Sequence, residues 1–408
     1  MNTNYDVIII GGGASGMMAS IFAARNGFKT LVLDHNEKLG KKLYITGKGK
    51  CNLTNNSPIE NHLNHIITNS KFMYSALNAF SPQDTMEFFE DNGLKLRTER
   101  GNRVFPNSDK SSDVIKTLEK IMQAYGVVVS LNNEIVEVKK DKDIFTILCN
   151  NKIKYTTNRL IIATGGVSYS GTGATGLGYK LAKQFGHNVI KPTSALCPIL
   201  VNEDVSELNG LKLENVALSI SFGKKIYKEQ GDMLFTFDSI TGPIALTLSS
   251  LINKHDLTNA KLYLDLKPAL SEQKLEEKFK REFIEYAKKD LKNYLFTLLP
   301  SSFVEFFMLH TGLTNKKIAD MSKLDRETLI NGLKKFDFSV KSLDNINVSI
   351  VTSGGVDVKE INARTCESKL VENLYFIGEV LDIDALTGGY NLQIAWSTAY
   401  LAGNNLKG

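Results

Sequence analysis

The pattern of apolar and polar positions changes character several times along the chain. Near the start, Val7-Ile-Ile-Ile10 is a β-branched run that suits a strand buried on both faces. Glycines follow, then small and apolar residues at helical spacing (Ala14, Ala19, Ala23, Ala24), and Lys29 to Asp34 reads as a second strand ending on an acid. Residues 72–92 predict two helices, the second opening at Ser81-Pro82. Ser111-Ser112 caps an amphipathic helix that runs to Ala124. Residues 127–131, 134–139 and 145–148 alternate as strands of a meander, and 159–166 is a buried strand ending in a small-residue turn. From Leu196 to Leu266, short alternating stretches (216–222, 225–229, 262–267) predict an inserted antiparallel sheet or small barrel. Helical periodicity dominates 271–335, with breaks at Pro300-Ser301 and Gly312 and helix starts at Asp320, Ser322 and Asp325. Strand-and-turn character returns at 348–356 and 373–379, before a last helix opening after Ala385.

The first glycines carry the chemistry. Gly11, Gly13 and Gly16 stand at G-x-G-x-x-G spacing between strand and helix, and Asp34 follows about twenty residues on. Gly11 permits a tight turn, Gly13 lets a pyrophosphate approach the backbone, and Gly16 lets helix and strand pack closely. The helix N-terminus offers free N–H groups and about +0.5 of a charge to phosphates. Asp34 can accept from ribose hydroxyls. Strand, loop, helix, second strand and acid together predict dinucleotide binding, without deciding between FAD and NAD.

At 408 residues the chain is too long for one simple core. The net charge of +5 fits an anionic cofactor or substrate and does not establish nucleic-acid binding. The four cysteines form no C-x-x-C pair and no Cys/His cluster has zinc spacing, so no metal site and no structural disulfide are expected, as in a reducing cytoplasm. No apolar run is long enough to span a bilayer.

Gly171-Thr-Gly-Ala-Thr-Gly176 is a second formal G-x-G-x-x-G match. No strand abuts it and no acid follows, so a glycine-rich loop covering the first cofactor is the better reading; Lys191 keeps a 2′-phosphate site open. Residues 35–55 are rich in glycine and lysine, which suits a long ordered loop against an anion. Cys51 reads as a lining residue rather than a redox centre, and His187 as the cap of a helix ending at Gly186. Arg103 and Tyr390 are candidates to face substrate.

Three separated segments carry a family resemblance. Thr46-Gly-Lys-Gly-Lys-Cys-Asn-Leu-Thr-Asn55, Thr352-Ser-Gly-Gly-Val356 and the stretch from Gly378-Glu379 to Gly388-Gly-Tyr-Asn-Leu-Gln393 together resemble the aminoacetone-oxidase-like (BaiN/YhiN-like) FAD-binding flavoproteins, within the two-dinucleotide-binding-domain superfamily. The chain departs from that pattern at Asp34 (commonly Glu), Thr46 (commonly Ser) and Lys50 (commonly Arg). The resemblance implies an α/β fold: a Rossmann-like FAD-binding domain over 1–193 and 345–408, an inserted antiparallel β (barrel-like) domain at 194–268 and a helical subdomain at 269–344.

It also implies cofactor contacts. Gly11, Gly13, Ala14, Ser15 and Gly16 would hold the pyrophosphate, and Asp34 and His35 the adenosine ribose, with Lys42 nearby. Gly47, Gly49, Lys50, Cys51 and Asn52 would line the flavin end, and Val136 would contact adenine through its backbone. Ala163, Thr164, Gly165 and Gly166 would approach the middle of FAD, and Gly378, Glu379 and Asp382 its ribityl and phosphate region. The backbone of Asn391 and Leu392 would face the flavin pyrimidine edge, where a helix N-terminus stabilises the charge left by hydride arrival. The implied protein is an FAD-dependent oxidoreductase passing hydride between a small organic substrate, such as an amine, and FAD, with oxygen or another acceptor reoxidising it. The alternatives are an NAD(P)H-driven reductase or desaturase of an apolar enone, and a nucleic-acid-linked flavoprotein, motivated by the positive charge and a basic helical insert. A general base, the substrate and the oligomeric state are not legible.

Overall fold

The computed structural model describes residues 3–407, which form two compact units: 3–195 with 346–407, and 196–345.

The first unit is built on a seven-stranded sheet. Asn4–Ile10 lies in parallel between Thr30–Leu33 and Lys154–Ile162, with Ile10 opposite Leu33 on one side and Ile162 on the other. Val128–Ser130 extends the parallel edge, while Ile144–Cys149 and Ile135–Asp141 add an antiparallel hairpin. Lys154–Ile162 is long enough to serve two neighbours: its first half pairs with the hairpin, its last three residues with Leu374–Phe376. Val7, Ile8 and Ile9 are fully buried, as a strand covered on both faces requires.

The helix Ala14–Arg25 packs against the last helix, Tyr390–Asn404. Small residues allow that approach: a Cβ on Gly403 would stand 2.9 Å from the Ala19 carbonyl. The chain leaves this unit through Val189–Ala195 and returns through Val351–Val356, which pair antiparallel.

The second unit is a closed barrel of six antiparallel strands, in the order Ile199–Val201, Ser239–Thr241, Lys225–Phe235, Lys212–Phe222, Lys261–Asp265 and Phe336–Leu343. The expected β insert is thus a barrel, and the expected helical subdomain is not separate from it. Phe336–Leu343 closes the barrel after the helices, and Leu275, Phe279, Phe303, Phe307 and Leu329 share one core with the strands. Ser322 caps Lys323–Lys334 in a capping box with Asp325. Ser111 does not cap its helix: Ser111–Ala124 starts one residue earlier than a serine cap requires, and the Ser111 hydroxyl donates to the Tyr44 carbonyl instead.

Candidate functional site

The glycine loop is shaped by collisions it avoids. Gly11 has φ +110°, and a Cβ there would stand 2.4 Å from the Ala163 carbonyl; on Gly16 it would stand 1.8 Å from the Gly11 carbonyl. Gly13 meets nothing within 4 Å, so the backbone is open on that side. The helix from Ala14 has no side-chain cap, which leaves its leading N–H groups, including those of Ser15 and Gly16, available to an anion.

Asp34 is buried and already engaged. Its Oδ2 accepts from the Gly12 N–H at 2.6 Å, and its Oδ1 from the Asn36 N–H and Nδ2 at 2.8 and 2.9 Å. The carboxylate therefore braces the loop, a role the sequence reading missed. The second glycine segment folds against this corner: Asn36 Nδ2 lies 3.4 Å from the Thr172 carbonyl, and a Cβ on Gly173 would stand 2.9 Å from the His35 ring. No strand abuts it, and Gly176 opens only the eight-residue helix Leu177–Gln184. Val136 lies exposed at a register shift, on the hairpin whose preceding residues bond back to Asp34 and Asn36 through Asn133 and Asn132.

The two chain ends meet beside Ser15, since a Cβ on Gly378 would stand 2.6 Å from Ser15 Oγ. Next to Gly378, Glu379 forms a two-pronged ion pair with Lys42 at 2.9 and 2.8 Å. Glu379 also accepts from Ser168 Oγ and the Thr352 N–H, so one carboxylate ties four segments together. Lys42 is thereby held by Glu379 and Ser168. Thr352 Oγ1 accepts from the N–H groups of Val167 and Ser168, just past Ala163 to Gly166. Gly165 has φ +71°, and Thr164 Oγ1 is buried without a bond. Asp382 is held by Asn69 Nδ2 at 2.9 Å.

The 46–52 loop is left-handed at Gly47, Lys48, Gly49 and Cys51. Cys51 is fully buried, and desolvation pushes its thiol up to about 12, against the weaker opposing effect of a Thr46 hydrogen bond. It stays a thiol at neutral pH, which suits packing and not redox chemistry. Lys50 turns to Asp109 at 3.4 Å. Oriented to pair both amide ends, Asn52 donates to the Thr54 carbonyl at 3.1 Å and accepts from the Gly389 N–H at 3.0 Å.

Gly389 has φ +100°, and a Cβ there would stand 2.3 Å from the Thr54 carbonyl, which leads the last helix in with its N–H groups at Asn391 and Leu392 uncapped by any side chain. The Asn391 side chain closes on the backbone of Ala385 at 2.7 and 3.0 Å. One turn in, Gln393 is completely buried; it accepts from the hydroxyls of Thr54 and Thr85 and donates to the Phe80 carbonyl and Ser397. His187 does cap its helix, through its N–H to the Ala182 carbonyl, and its buried ring bridges Glu360 and Ser368.

A cavity of about 320 Å³ opens beside the start of this helix, lined among others by Asn52, Asn55, His65, Arg103, Thr387 and Tyr390. His65 and Tyr390 stack at 4.3 Å. His65 Nδ1 lies 2.7 Å from the Asn61 carbonyl, and Tyr390 Oη accepts from Asn61 Nδ2 at 3.0 Å. The structure brings Arg103 and Tyr390, the sequence candidates to face substrate, into one cavity wall with Asn55 and with His65, which the sequence did not single out. Among the described residues no group of His, Cys, Asp and Glu could hold a metal ion.

The residues fit a flavin dinucleotide. Two helix N-termini lack side-chain caps, the backbone at Gly13 is open, and a buried Thr164 hydroxyl awaits a bond. With the Rossmann-type sheet, they define an FAD-dependent oxidoreductase. Residues 5–405 match the family described as HI0933-like protein Rossmann domain, and the chain belongs to that family. It is 32% identical over 399 residues to a ribosomal RNA dihydrouridine synthase of Haemophilus influenzae, covering 96% of each chain. A ribosomal RNA dihydrouridine synthase of Escherichia coli is 31% identical, over 98% of each chain. A 3-dehydro-bile acid delta(4,6)-reductase of Clostridium scindens is 28% identical, over 97% of each.

Proposed function

We propose that this protein reduces the C5=C6 bond of uridine in ribosomal RNA, using FAD and a reduced nicotinamide as electron source. The observation that carries the reading is end-to-end similarity to two synthases of that name, at 32% and 31% identity. The bile acid reductase supports the same direction of chemistry. Uridine and an unsaturated 3-oxo steroid share a C=C bond conjugated to a carbonyl, so reduction is favoured over amine oxidation.

FAD would be held as the sequence pattern suggests: pyrophosphate at Gly11 to Gly16, ribose at Asp34 and His35, adenine beside Val136, and the flavin pyrimidine edge at the N–H groups of Asn391 and Leu392. Once reduced by the nicotinamide, bound FAD would supply a hydride. The chain's own residues would supply the rest. With the hydride delivered to C6 of the uracil and a proton to C5, the C5=C6 bond becomes a single bond. His65 is the candidate acid: Nδ1 is anchored on Asn61, and the residue lines the cavity. The formal charges of the insert 196–345 cancel, with 21 Lys and Arg against 21 Asp and Glu, while the first unit holds 28 against 23, so the net positive charge belongs to the unit that carries the site. Arg103 lies at the cavity wall.

Ribosomal RNA from cells lacking the gene, incubated with the protein and NADPH, should gain two hydrogens at a defined uridine, read by mass spectrometry. An unchanged RNA, offered both free and as ribosomal subunits, alongside NADPH-reducible flavin would reject the RNA reading. Saturation of a steroid enone in the same assay would move the assignment to the other class.

A further inference from the structure

The net charge of the chain is concentrated beside the cavity. Residues 46–56 and 94–110 carry seven Lys and Arg against only Glu99 and Asp109, an excess equal to the +5 of all 408 residues. These segments form one surface. Thr54–Asn55, Arg103–Pro106 and Leu96–Glu99 make a three-stranded antiparallel sheet. The loop before Thr54 leans on it, since a Cβ on Gly47 would stand 3.6 Å from the Phe105 ring. Arg97 and Arg103 lie over that same ring at 5.9 and 5.8 Å, so all three side chains share a face. On this face Arg103, Glu99, Arg97, Asp109 and Lys50 form a row of alternating charge that starts at the cavity wall. Arg97, inside the row, hydrogen-bonds both acids. The cations at its two ends are held more loosely: Lys50 stands 3.4 Å from Asp109 and Arg103 3.8 Å from Glu99, with 50% and 47% of their side chains exposed. Lys48, Lys95, Arg100 and Lys110 are exposed as well, and among the described residues none of them has an acid within 4.0 Å.

A merely solvated face mixes its cations with acids, as the insert does, where the two signs balance. An unpaired excess at a cavity rim complements a polyanion. The cavity, about 320 Å³, takes a base only after that base has left its stack, and a base so displaced brings its flanking phosphates to the rim. We propose that this sheet face and the cations around it hold the sugar–phosphate backbone of the RNA strand that flanks the target uridine. Arg100 and Arg103 stand at the cavity end, joined by the bond from Arg103 Nε to the Arg100 carbonyl, and Lys48, Lys50, Lys95 and Lys110 continue along the loop and hairpin. The inference rests on the function proposed above and adds where the substrate lies. Phosphate contacts fix position and register without reading sequence, so the face supplies affinity while the cavity selects the base. A free nucleoside, which brings no phosphate, is then held far more weakly than a strand.

The test separates binding from reduction. Holoprotein is titrated with a labelled single-stranded rRNA segment over a range of KCl concentrations, and binding is followed by fluorescence anisotropy. K48Q/K95Q/R100Q/K110Q should bind about tenfold or more weakly, and its plot of log K against log[KCl] should flatten by about 3, at about 0.7 per lost phosphate contact on a single strand. A control that loses the same charge from exposed lysines of the insert, K224Q/K228Q/K274Q/K280Q, should bind as the wild type does. Flavin absorbance, the same in both, reports an intact cofactor site. Should the first variant fold poorly, K48Q and R100Q singly should each flatten the slope by about 0.7. Equal affinity and slope in the two quadruple variants overturn the proposal, even where rRNA is reduced. A slope lost only in the hairpin variant, with no uridine reduced by the wild type, keeps the face as an RNA surface and sinks the reductase reading. Wild-type protein that binds no RNA at low salt, or binds vesicles of anionic phospholipid in its place, also overturns the proposal.

Discussion

The two units bury their interiors by different means. The barrel unit relies on aromatic packing: Phe235, Phe279, Phe303, Phe336 and Phe338 are fully buried, and Phe235 and Phe303 stack at 6.0 Å. Serine side chains cap two of its helices, Glu272–Glu285 and Lys323–Lys334, and its formal charges cancel. The sheet unit also has an apolar core, but it interrupts that core with Asp34, Asn55, Thr164 and Gln393, and with backbone approaches that only glycine survives. In the sheet unit the buried polar groups and close glycine approaches gather around the cleft, and that clustering points to where the chemistry is.

The contrast can be broken by mutation. Gly389→Val has the largest expected effect: it forces a side chain into the Thr54 carbonyl at φ +100°, and purified protein should lose its flavin absorbance altogether. Phe303→Ala in the other unit should cost about 3–5 kcal/mol in denaturant unfolding, while the folded protein keeps its affinity for FAD. A colourless F303A would dissolve the distinction. Gln393→Leu strands the Thr54 hydroxyl in the core, while Thr85 keeps its bond to the Ser81 carbonyl, and should cost about 1–3 kcal/mol, seen as a lower thermal midpoint. His65→Gln should slow product formation about 100-fold with flavin reduction by NADPH unchanged.

The smallest effect is a pH dependence. Burial holds His62 and His187 below the ordinary histidine value, outweighing the Asn55 carbonyl at one and Glu360 at the other. The unfolded chain therefore binds protons that the folded one refuses, and stability falls as pH drops below about 6.5 towards the folded values. H187N should flatten part of that slope, as measured by chemical denaturation at pH 7.5 and pH 5.5. An unchanged slope in H187N would place the acid sensitivity elsewhere.

Legibility in the sequence followed the same division. The first strand, glycine loop, helix and acid could be read because each residue there is demanded locally, by period, by φ or by charge. The barrel was legible from alternation, yet its closing strand was absorbed into a helical stretch, although Phe336, Phe338 and Val340 alternate with Asp337, Ser339 and Lys341. Helical signals on the preceding side outweighed a short period-two run. At the site, Gly11, Gly13 and Gly389 were readable as glycines. The buried Oδ1 of Asn55 and the stack of His65 on Tyr390 were not, because both exist only once segments far apart in the chain have met. Spacing reads Asp34 as a ribose acceptor and does not reveal its bond to the Gly12 N–H, which depends on a turn that spacing alone does not describe.

The contact between Ser15 and Gly378 also sets a clock. At about 5–20 residues per second, a ribosome needs roughly 20–80 s to complete the chain. The first strand, loop and helix emerge early, but their sheet lacks Leu374–Phe376 and their cofactor cradle lacks its far side until synthesis is nearly over. For most of its birth the nascent chain carries a half-built nucleotide cleft with an exposed parallel edge. FAD binding that needs both faces of the cradle would have to wait until Leu374–Phe376 and Gly378 have been made.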